Sequence, residues 1–169
     1  MPCVAKRLIV IRHAKSSWKN SKVDDAERPL NKRGRRDGPR MANFLVDQGL
    51  KPDRLLVSDA VRARATADFL IDAFALAEGE IDYEPRLYLA GVNRIYDLIR
   101  ESPDSETLAV VAHNPGITDL VNSLGERVIT DNVPTLGVAA FGIPINHWHE
   151  LRPGMGNLTG FHTPKTIDR

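Results

Sequence analysis

The chain has 169 residues, of which 42% are hydrophobic and 27% charged, and its formal net charge is +1. This composition is typical of folded globular domains and excludes an intrinsically disordered chain. The length is close to that of one domain, and no repeat, low-complexity tract or Gly/Ser linker divides it. We therefore predict a single domain over residues 1–169.

The apolar segments and the cysteine content bear on where the protein works. No uncharged stretch reaches the ~20 residues of a membrane helix. The first apolar run, Leu8 to Ile11, is shorter than the ~7–15-residue core of a signal peptide. Cys3 is the only cysteine, so a disulfide within the chain is impossible. These features predict a cytoplasmic protein with no membrane partner.

Strands and helices are predicted to alternate along the chain. The apolar runs Leu8–Ile11, Leu55–Val57 and Leu108–Val111 are continuous, which is typical of buried strands in a parallel sheet. Helical periodicity follows in two places, from Lys32 to Gln48 and from Val61 to Ala75. This alternation predicts an α/β sandwich.

The first predicted helix contains an irregularity. Asn31 is a suitable N-cap, but Gly38 and Pro39 lie inside the segment. Proline in a helix interior costs ~3 kcal/mol. We therefore expect a break or kink there, with Asp37 as a possible cap for the second half.

The last third of the chain is less regular. Val138–Ile143 and His147–Leu151 are predicted to be further strands, one of them at a sheet edge. In a strand, His147 and His149 would share one face, a spacing that a metal site could use. Because no third ligand is recognisable, we predict no metal site.

Polar side chains follow the three central strands at the point where each strand ends. Arg12 and His13 follow the first, Arg62 comes just after the second, and His113 follows the third. Ligands of open α/β sheets bind beyond the carboxyl ends of the strands. Guanidinium groups, with Arg28 as a third candidate, suit the oxygens of a phosphoryl group. The sequence therefore predicts a dianion site at this rim.

Histidine at such a rim can act as a nucleophile. A neutral ring nitrogen can attack phosphorus when the other nitrogen keeps its proton on an acceptor such as a backbone carbonyl. His13 is predicted to play this part, and His113 to donate to a nonbridging oxygen. The nearby guanidinium groups of Arg12 and Arg62 predict a pKa for His13 below ~6.5. We predict that this chemistry uses no cofactor.

Four motifs occur in order between Leu8 and Leu124. They are Arg12-His13-Ala14-Lys15-Ser16-Ser17-Trp18, Arg28-Pro29-Leu30 with Arg33-Gly34, Ser58-x-Ala60-x-Arg62 with Thr66, and His113-Asn114-Pro115-Gly116. The set resembles the histidine phosphatase superfamily, and within it the small bacterial phosphohistidine phosphatase branch. The resemblance implies a phosphoglycerate mutase-like fold, a three-layer α/β/α sandwich with a mostly parallel central sheet. It also implies a metal-independent hydrolase with His13 as nucleophile and Arg12, Arg62 and His113 as the phosphate pocket.

An acidic residue ahead of Arg28 also faces the site in the short branch. Asp25 matches that position and is predicted to be catalytic, with Asp24 and Glu27 as open alternatives. Arg28 is predicted to bind phosphate, the alternative being a surface ion pair with one of these aspartates. Asp59 stands where many relatives have proline and puts a further carboxylate near the rim.

One departure from the wider superfamily bears on the substrate. The mutase and phosphomonoesterase branches have a Glu shortly after an Arg-Leu pair, whereas Arg86-Leu87 is followed here by Tyr88-Leu89-Ala90. A phosphoramidate relies less on such an acid, because protonated imidazole leaves more readily than an alkoxide. The sequence therefore favours a phosphatase acting on phosphohistidine of a protein.

Two alternative functions stay open. One is a phosphomonoesterase of the same superfamily with a small phosphorylated substrate, and the other is a catalytically silent module that binds a phosphorylated ligand. A nucleic-acid partner is not predicted. The basic stretch Lys32–Arg36 is interpreted as a solvated helix face, because the rest of the chain cancels its charge and the aromatic content is only 6%.

Overall fold

A computed structural model describes residues 6–168 of the chain, so Cys3 lies outside the described residues. The helices and strands are β1 (Lys6–Arg12), α1 (Lys32–Asp47), β2 (Arg54–Ser58), α2 (Val61–Phe74), β3 (Ile81–Glu84), α3 (Val92–Glu101), β4 (Thr107–Ala112), α4 (Gly116–Leu124), β5 (Val138–Ile143) and β6 (Asn157–His162). Between residues 6 and 168, no helix is long and apolar enough to cross a membrane.

The strands form one mixed sheet in the order β3-β2-β4-β1-β5-β6. Strands β1 to β4 are parallel, β5 runs antiparallel to β1, and β6 runs antiparallel to β5. Every residue of β4 is buried, as expected for a continuous apolar run covered on both faces. The predicted central strands are therefore confirmed, and so is the strand predicted at Val138–Ile143.

Helices cover both faces of the sheet. Ile9 and Ile11 of β1 point toward α1 and α2, and Leu8 and Val10 point toward α3 and α4. All four side chains are at most 1% exposed, and burying an aliphatic side chain of this size contributes roughly 1.5–3 kcal/mol. This alternation along β1 produces the three-layer α/β/α sandwich, which confirms the expected fold class.

Helix α1 runs unbroken through Pro39, so the predicted break is wrong. Asn31 does cap the helix, with its side-chain oxygen accepting a backbone N–H of the first turn. A Cβ at Gly38 would lie 2.2 Å from the ring of Phe69, so this glycine lets α1 pack directly against α2. Asp37 caps no second helix and instead forms ion pairs along α1. These contacts favour the continuous helix against the ~3 kcal/mol cost of the proline.

The segment predicted as a strand at His147–Leu151 is a short 3₁₀ turn over Trp148–Glu150, and the edge strand is β6. The prediction failed because the indole of Trp148 is fully buried and anchors the turn, which the side chain of Glu150 closes onto the backbone of His147. The rings of His147 and His149 still stack, with centroids 5.4 Å apart. Within residues 6–168, no three His, Cys, Asp or Glu side chains are grouped to hold a metal ion.

Candidate active site

Three neighbouring parallel strands end at one rim of the sheet, and each supplies part of the site. Strand β1 ends at Arg12 and leads into His13, β2 leads into α2 with Arg62 in its first turn, and β4 leads into His113. Because β2, β4 and β1 are adjacent, these ends are neighbours. The ring centroids of His13 and His113 lie 5.1 Å apart. The structure therefore brings together the four residues that the sequence placed at this rim.

The imidazole of His13 is buried and neutral. Its Nδ1 lies 2.7 Å from the carbonyl oxygen of Ala14, and because a carbonyl only accepts, Nδ1 carries the proton. Burial, aided by the charges of Arg62 and Arg12 and by His113, lowers the pKa of His13 to about 3, in the direction the sequence predicted. The lone pair is then on Nε2, which makes no hydrogen bond with the described residues. This is the protonation state that a nucleophilic histidine needs.

His113 is more deeply buried, with 2% of its surface exposed. Its Nε2 lies 2.7 Å from the hydroxyl of Ser58, and the ring of Tyr88 packs edge-on against it. Burial and then the charge of Arg62 lower the pKa of His113 to about 4. At neutral pH the ring is therefore neutral and has one N–H. With the hydroxyl of Ser58 donating to Nε2, that proton is on Nδ1, which can donate a hydrogen bond to an anion.

Three nitrogens of the site are buried and have no hydrogen-bond partner among residues 6–168. They are Nε of Arg12, Nε of Arg62 and Nδ1 of His113. A buried donor left without an acceptor costs about 1–3 kcal/mol, and folded proteins seldom leave several together. Burial and the neighbouring charge of Arg62 also lower the pKa of Arg12. This grouping of unsatisfied cationic and neutral donors is suited to an anion that accepts hydrogen bonds.

Asp25 lies at the mouth of this cluster, in a 3₁₀ turn between β1 and α1. Its carboxylate accepts hydrogen bonds from Arg28 Nε at 2.9 Å, from Arg62 Nη2 at 2.9 Å and from the hydroxyl of Tyr88. The hydrogen bond from Tyr88, followed by those from the two arginines, lowers the pKa of Asp25 well below its usual range. The structure therefore joins Asp25 and Arg28 to the predicted site and keeps Asp25 ionised there.

Arg28 forms the outer wall of the site. Its side chain is 7% exposed and donates to the hydroxyl of Ser16 at 2.7 Å. The ring of Trp18 covers the guanidinium, with 3.5 Å between the guanidinium carbon and the ring centroid. Trp18 itself is 73% exposed. An exposed aromatic side chain thus lies at the edge of the site, held in place by one of its cations.

Three other carboxylates that lie nearby in sequence stay out of the ion pairs of this site. Among the described residues, Asp24, Glu27 and Asp59 pair with no arginine or lysine. Asp59 contributes only its backbone carbonyl, which accepts a hydrogen bond from Arg64. Asp25 is the member of the three candidates before Arg28 that contacts the arginines.

Sequence reasoning did not anticipate the contacts that hold these side chains in place. The hydroxyl of Thr66 accepts from the backbone N–H of Ala14 at 2.9 Å and donates to the carbonyl of Arg62 at 2.8 Å, which ties the end of β1 to α2. Ser58 supports His113, and Tyr88 supports Asp25. Ser58 and Thr66 belong to one of the four motifs, so the sequence offered a signal for them. For Tyr88 the only signal is that it follows Arg86-Leu87, where an acid is absent.

Comparisons with known proteins agree with this geometry. The model of the histidine phosphatase superfamily (branch 1) matches residues 8–88. An uncharacterised protein of Mycobacterium tuberculosis is 33% identical over 163 residues, which cover 92% of this chain and all of the relative. A candidate phosphohistidine phosphatase, SixA, from Agrobacterium tumefaciens is 25% identical, with a TM-score of 0.81 over 97% of this chain and 99% of that one. A mycobacterial glucosyl-3-phosphoglycerate phosphatase has the same fold at 16% identity, with a TM-score of 0.68 over 92% of this chain and 97% of that one.

The family match covers the strand ends that carry Arg12, His13 and Arg62, and the structural likeness extends over nearly the whole chain, including His113. Together they indicate a phosphatase. The chain belongs to the histidine phosphatase superfamily, branch 1.

Proposed function

We propose that this protein is a phosphohistidine phosphatase that removes the phosphoryl group from a histidine of a partner protein. The observation that carries the proposal is the state of His13, a neutral ring whose Nδ1 proton is held by the Ala14 carbonyl. This ring lies among side chains whose buried nitrogens lack an acceptor. A nucleophile and the donors for a phosphoryl group are thus present in one pocket.

In the first step, the phosphoryl oxygens accept hydrogen bonds from Arg12, Arg62 and His113. Nε2 of His13 forms a bond to phosphorus as the bond from phosphorus to the substrate nitrogen breaks. The electron pair of that bond stays on the departing imidazole, which takes up a proton from solvent. The fixed donors stabilise the charge on the transferring group, which is the main contribution a protein makes to phosphoryl transfer.

In the second step, water attacks the phosphorus of the phosphorylated His13. A P–O bond forms, the P–Nε2 bond breaks with its electron pair returning to the ring, and the proton of the water passes to solvent. Phosphate leaves and His13 is again neutral. This sequence of two displacements needs no cofactor.

The choice of phosphohistidine over a phosphate ester is supported by the protonation states of the side chains in the site. The carboxylate that contacts the arginines, Asp25, is held ionised by three donors and is therefore a poor general acid in the free enzyme. Tyr88 follows the Arg86-Leu87 pair, after which the esterase branches have their acid in sequence, and burial, followed by Asp25, raises the pKa of its hydroxyl. An imidazole leaving group depends least on such an acid. The likeness to the Agrobacterium protein points to the same substrate class.

A comparison of substrates tests this assignment. We expect a phosphohistidine peptide to be hydrolysed with a kcat/KM well above those of a phosphoserine peptide of the same sequence and of an aryl phosphate. Equal values for all three would identify a general phosphomonoesterase instead.

Trapping the intermediate tests the nucleophile. When the reaction with a phosphohistidine peptide carrying a radiolabelled phosphoryl group is rapidly quenched, we expect the label on His13. The labelled bond should be acid-labile and base-stable. His13→Ala should lose both the label and turnover but still bind phosphate or vanadate, because Arg12, Arg62 and His113 remain. A wild-type protein that binds the anion without label or turnover would be a silent binding module.

A further inference from the structure

A strongly basic groove lies beside the proposed phosphate pocket. Its cavity volume is about 730 Å³, and its cationic lining residues are Lys19, Lys32, Arg33, Arg35 and Arg36. No carboxylate lines it. Since the whole chain has a formal net charge of only +1, this groove concentrates positive charge that the rest of the surface balances.

Much of this charge has no counter-ion within residues 6–168. Lys19, Lys32 and Arg35 take part in no ion pair there. Arg35 donates to a backbone carbonyl at 2.7 Å, which leaves its charge uncompensated. Arg33 and Arg36 share the single carboxylate of Asp37, at 3.6 and 3.1 Å. The groove therefore presents a surplus of positive charge to solvent.

The position of these cations in the fold works against stability. Lys32 and Arg33 begin α1, and Arg35 is in the same first turn, next to the positive end of the helix dipole. A cation placed there costs about 0.3–1 kcal/mol instead of stabilising the helix. Charges that break a local rule with little compensation from neighbouring carboxylates are expected at functional surfaces.

The groove shares a wall with the phosphate pocket. Ser17 lines the groove, and its carbonyl accepts a hydrogen bond from Arg28 at 3.2 Å. The backbone N–H of Ser17 donates to the carbonyl of Pro29, another lining residue, at 2.8 Å. Trp18, the next residue, is exposed and its ring covers the guanidinium of Arg28. A molecule bound in the phosphate pocket and extending past Trp18 would reach the basic groove.

We propose that the basic groove binds an acidic surface segment of the phosphorylated protein while its phosphohistidine lies at His13. That the group bound at His13 is a phosphohistidine rests on the function proposed above. The attraction between the cations of the groove and an acidic segment does not depend on it. The groove would therefore favour protein substrates with carboxylates near the phosphohistidine. Binding here is electrostatic and weakens as ionic strength rises.

Two phosphohistidine peptides of equal length test the proposal, one flanked by Asp and Glu and the other by Ser and Gln. We expect the wild type to have a KM about tenfold lower for the acidic peptide, which corresponds to about 1.4 kcal/mol. The double variant Lys19→Ala, Lys32→Ala should lose most of that preference through KM, with kcat and the neutral peptide unaffected. The matched control Lys51→Ala, Arg127→Ala removes two exposed cations outside the groove and should keep the preference. An equal loss in the control, or no preference in the wild type, would overturn the proposal.

A binding measurement separates this proposal from the proposed function. The unphosphorylated acidic peptide should bind the wild type more tightly than the neutral peptide does, and the groove variant should bind both equally. This outcome needs no turnover, so it stands even if phosphohistidine proves not to be the substrate. A mixed-sequence oligonucleotide of equal charge is the competitor. If it binds the groove more tightly than the acidic peptide, the surface recognises nucleic acid and the proposal is wrong.

Discussion

Asp37 and Asp25 each bind several cationic or hydrogen-bonding side chains, but the partners come from different parts of the chain. Asp37 lies in α1, is 4% exposed, and forms ion pairs with Arg33, Arg36 and Arg40 of the same helix. All of these partners are within four residues of it. The cluster therefore follows from helix geometry and needs no other part of the fold.

Asp25 holds partners that come from three separate segments of the chain. Arg28 is in its own loop, Arg62 is in α2, and Tyr88 follows β3. The side chain of Asp25 is 39% exposed, and Nε of Arg62 is still without an acceptor. A cluster that is open to solvent and incompletely satisfied can exchange its carboxylate for a phosphoryl group, whereas the cluster around the buried carboxylate of Asp37 serves stability. The following changes test this difference.

The largest expected effect comes from Arg62→Ala. Arg62 contacts charge in both the ground state and the transition state, so kcat/KM should fall about 10²- to 10³-fold and phosphate binding should weaken with it. The matched variant Arg40→Ala removes a cation from the Asp37 cluster and should leave kcat/KM within about twofold, since surface pairs contribute ~0–1 kcal/mol to stability. Steady-state kinetics and phosphate inhibition measure both. Unchanged kinetics for Arg62→Ala would mean that the phosphate pocket lies elsewhere.

Asp37→Asn should act on stability instead of catalysis. It removes the counter-charge of three partly exposed arginines and leaves a buried amide in its place, and we expect the free energy of unfolding to fall by about 1 kcal/mol. The kcat of the folded fraction should equal that of the wild type. Urea unfolding together with active-site titration checks both expectations. A loss of kcat with unchanged stability would reverse the roles assigned to the two aspartates.

The histidines of the site predict a pH dependence of stability. The pKa values of His13 and His113, about 3 and about 4, lie below the ~6.5 of an unfolded histidine, so the unfolded chain binds more protons between these limits. The contribution of these two histidines to the free energy of unfolding is therefore fully present above pH ~6.5 and is lost as the pH falls. At pH ~5 the loss is about 2 kcal/mol per histidine. Asp25 stays ionised through this window because its pKa is lowered. Urea unfolding at pH ~7 and ~5 should show the loss, and His13→Asn should reduce it by roughly half. An equal loss in that variant would place the titration elsewhere.

Asp25→Asn should separate binding from turnover. Without the carboxylate, phosphate no longer competes for Arg28 and Arg62, so its Kd should fall by about tenfold. At the same time, kcat should decrease, because the carboxylate that orients the guanidinium groups of Arg28 and Arg62 is gone. Isothermal titration with phosphate and single-turnover kinetics give the two values. Weaker phosphate binding would show that Asp25 supports the pocket instead of occupying its cations.

The smallest effect is expected for Tyr88→Phe. This variant keeps the ring against His113 but removes the hydrogen bond to Asp25, which contributes about 0.5–1.5 kcal/mol. We expect a change in kcat/KM of about threefold, with the pKa of Asp25 moving back toward its usual range. Tyr88→Ala also removes the ring and should cost more. If both variants lose activity equally, the hydroxyl does more than position Asp25.

Predictions made from the sequence succeeded where local pattern and strand order were sufficient. The apolar runs around Ile9, Leu56 and Val110 identified buried parallel strands, because only strands covered on both faces lack polar alternation. The residues that follow those runs then had to lie at one rim. The prediction failed at Pro39 and at Trp148, where the packing of distant segments outweighed the local preference.

The sequence by itself determined the fold class, the strand ends that carry Arg12, His13, Arg62 and His113, and the family to which the chain belongs. The fold class and the strand ends follow from hydrophobic periodicity along the chain, whereas the family follows from the resemblance of the ordered motifs. Only the tertiary structure decided which carboxylate meets the arginines and that Tyr88 binds it, because α1, β2, α2 and β3 all lie between Asp25 and Tyr88 in the chain. It also decided the protonation states of His13 and His113, since burial and charges brought from other segments dominate their pKa values.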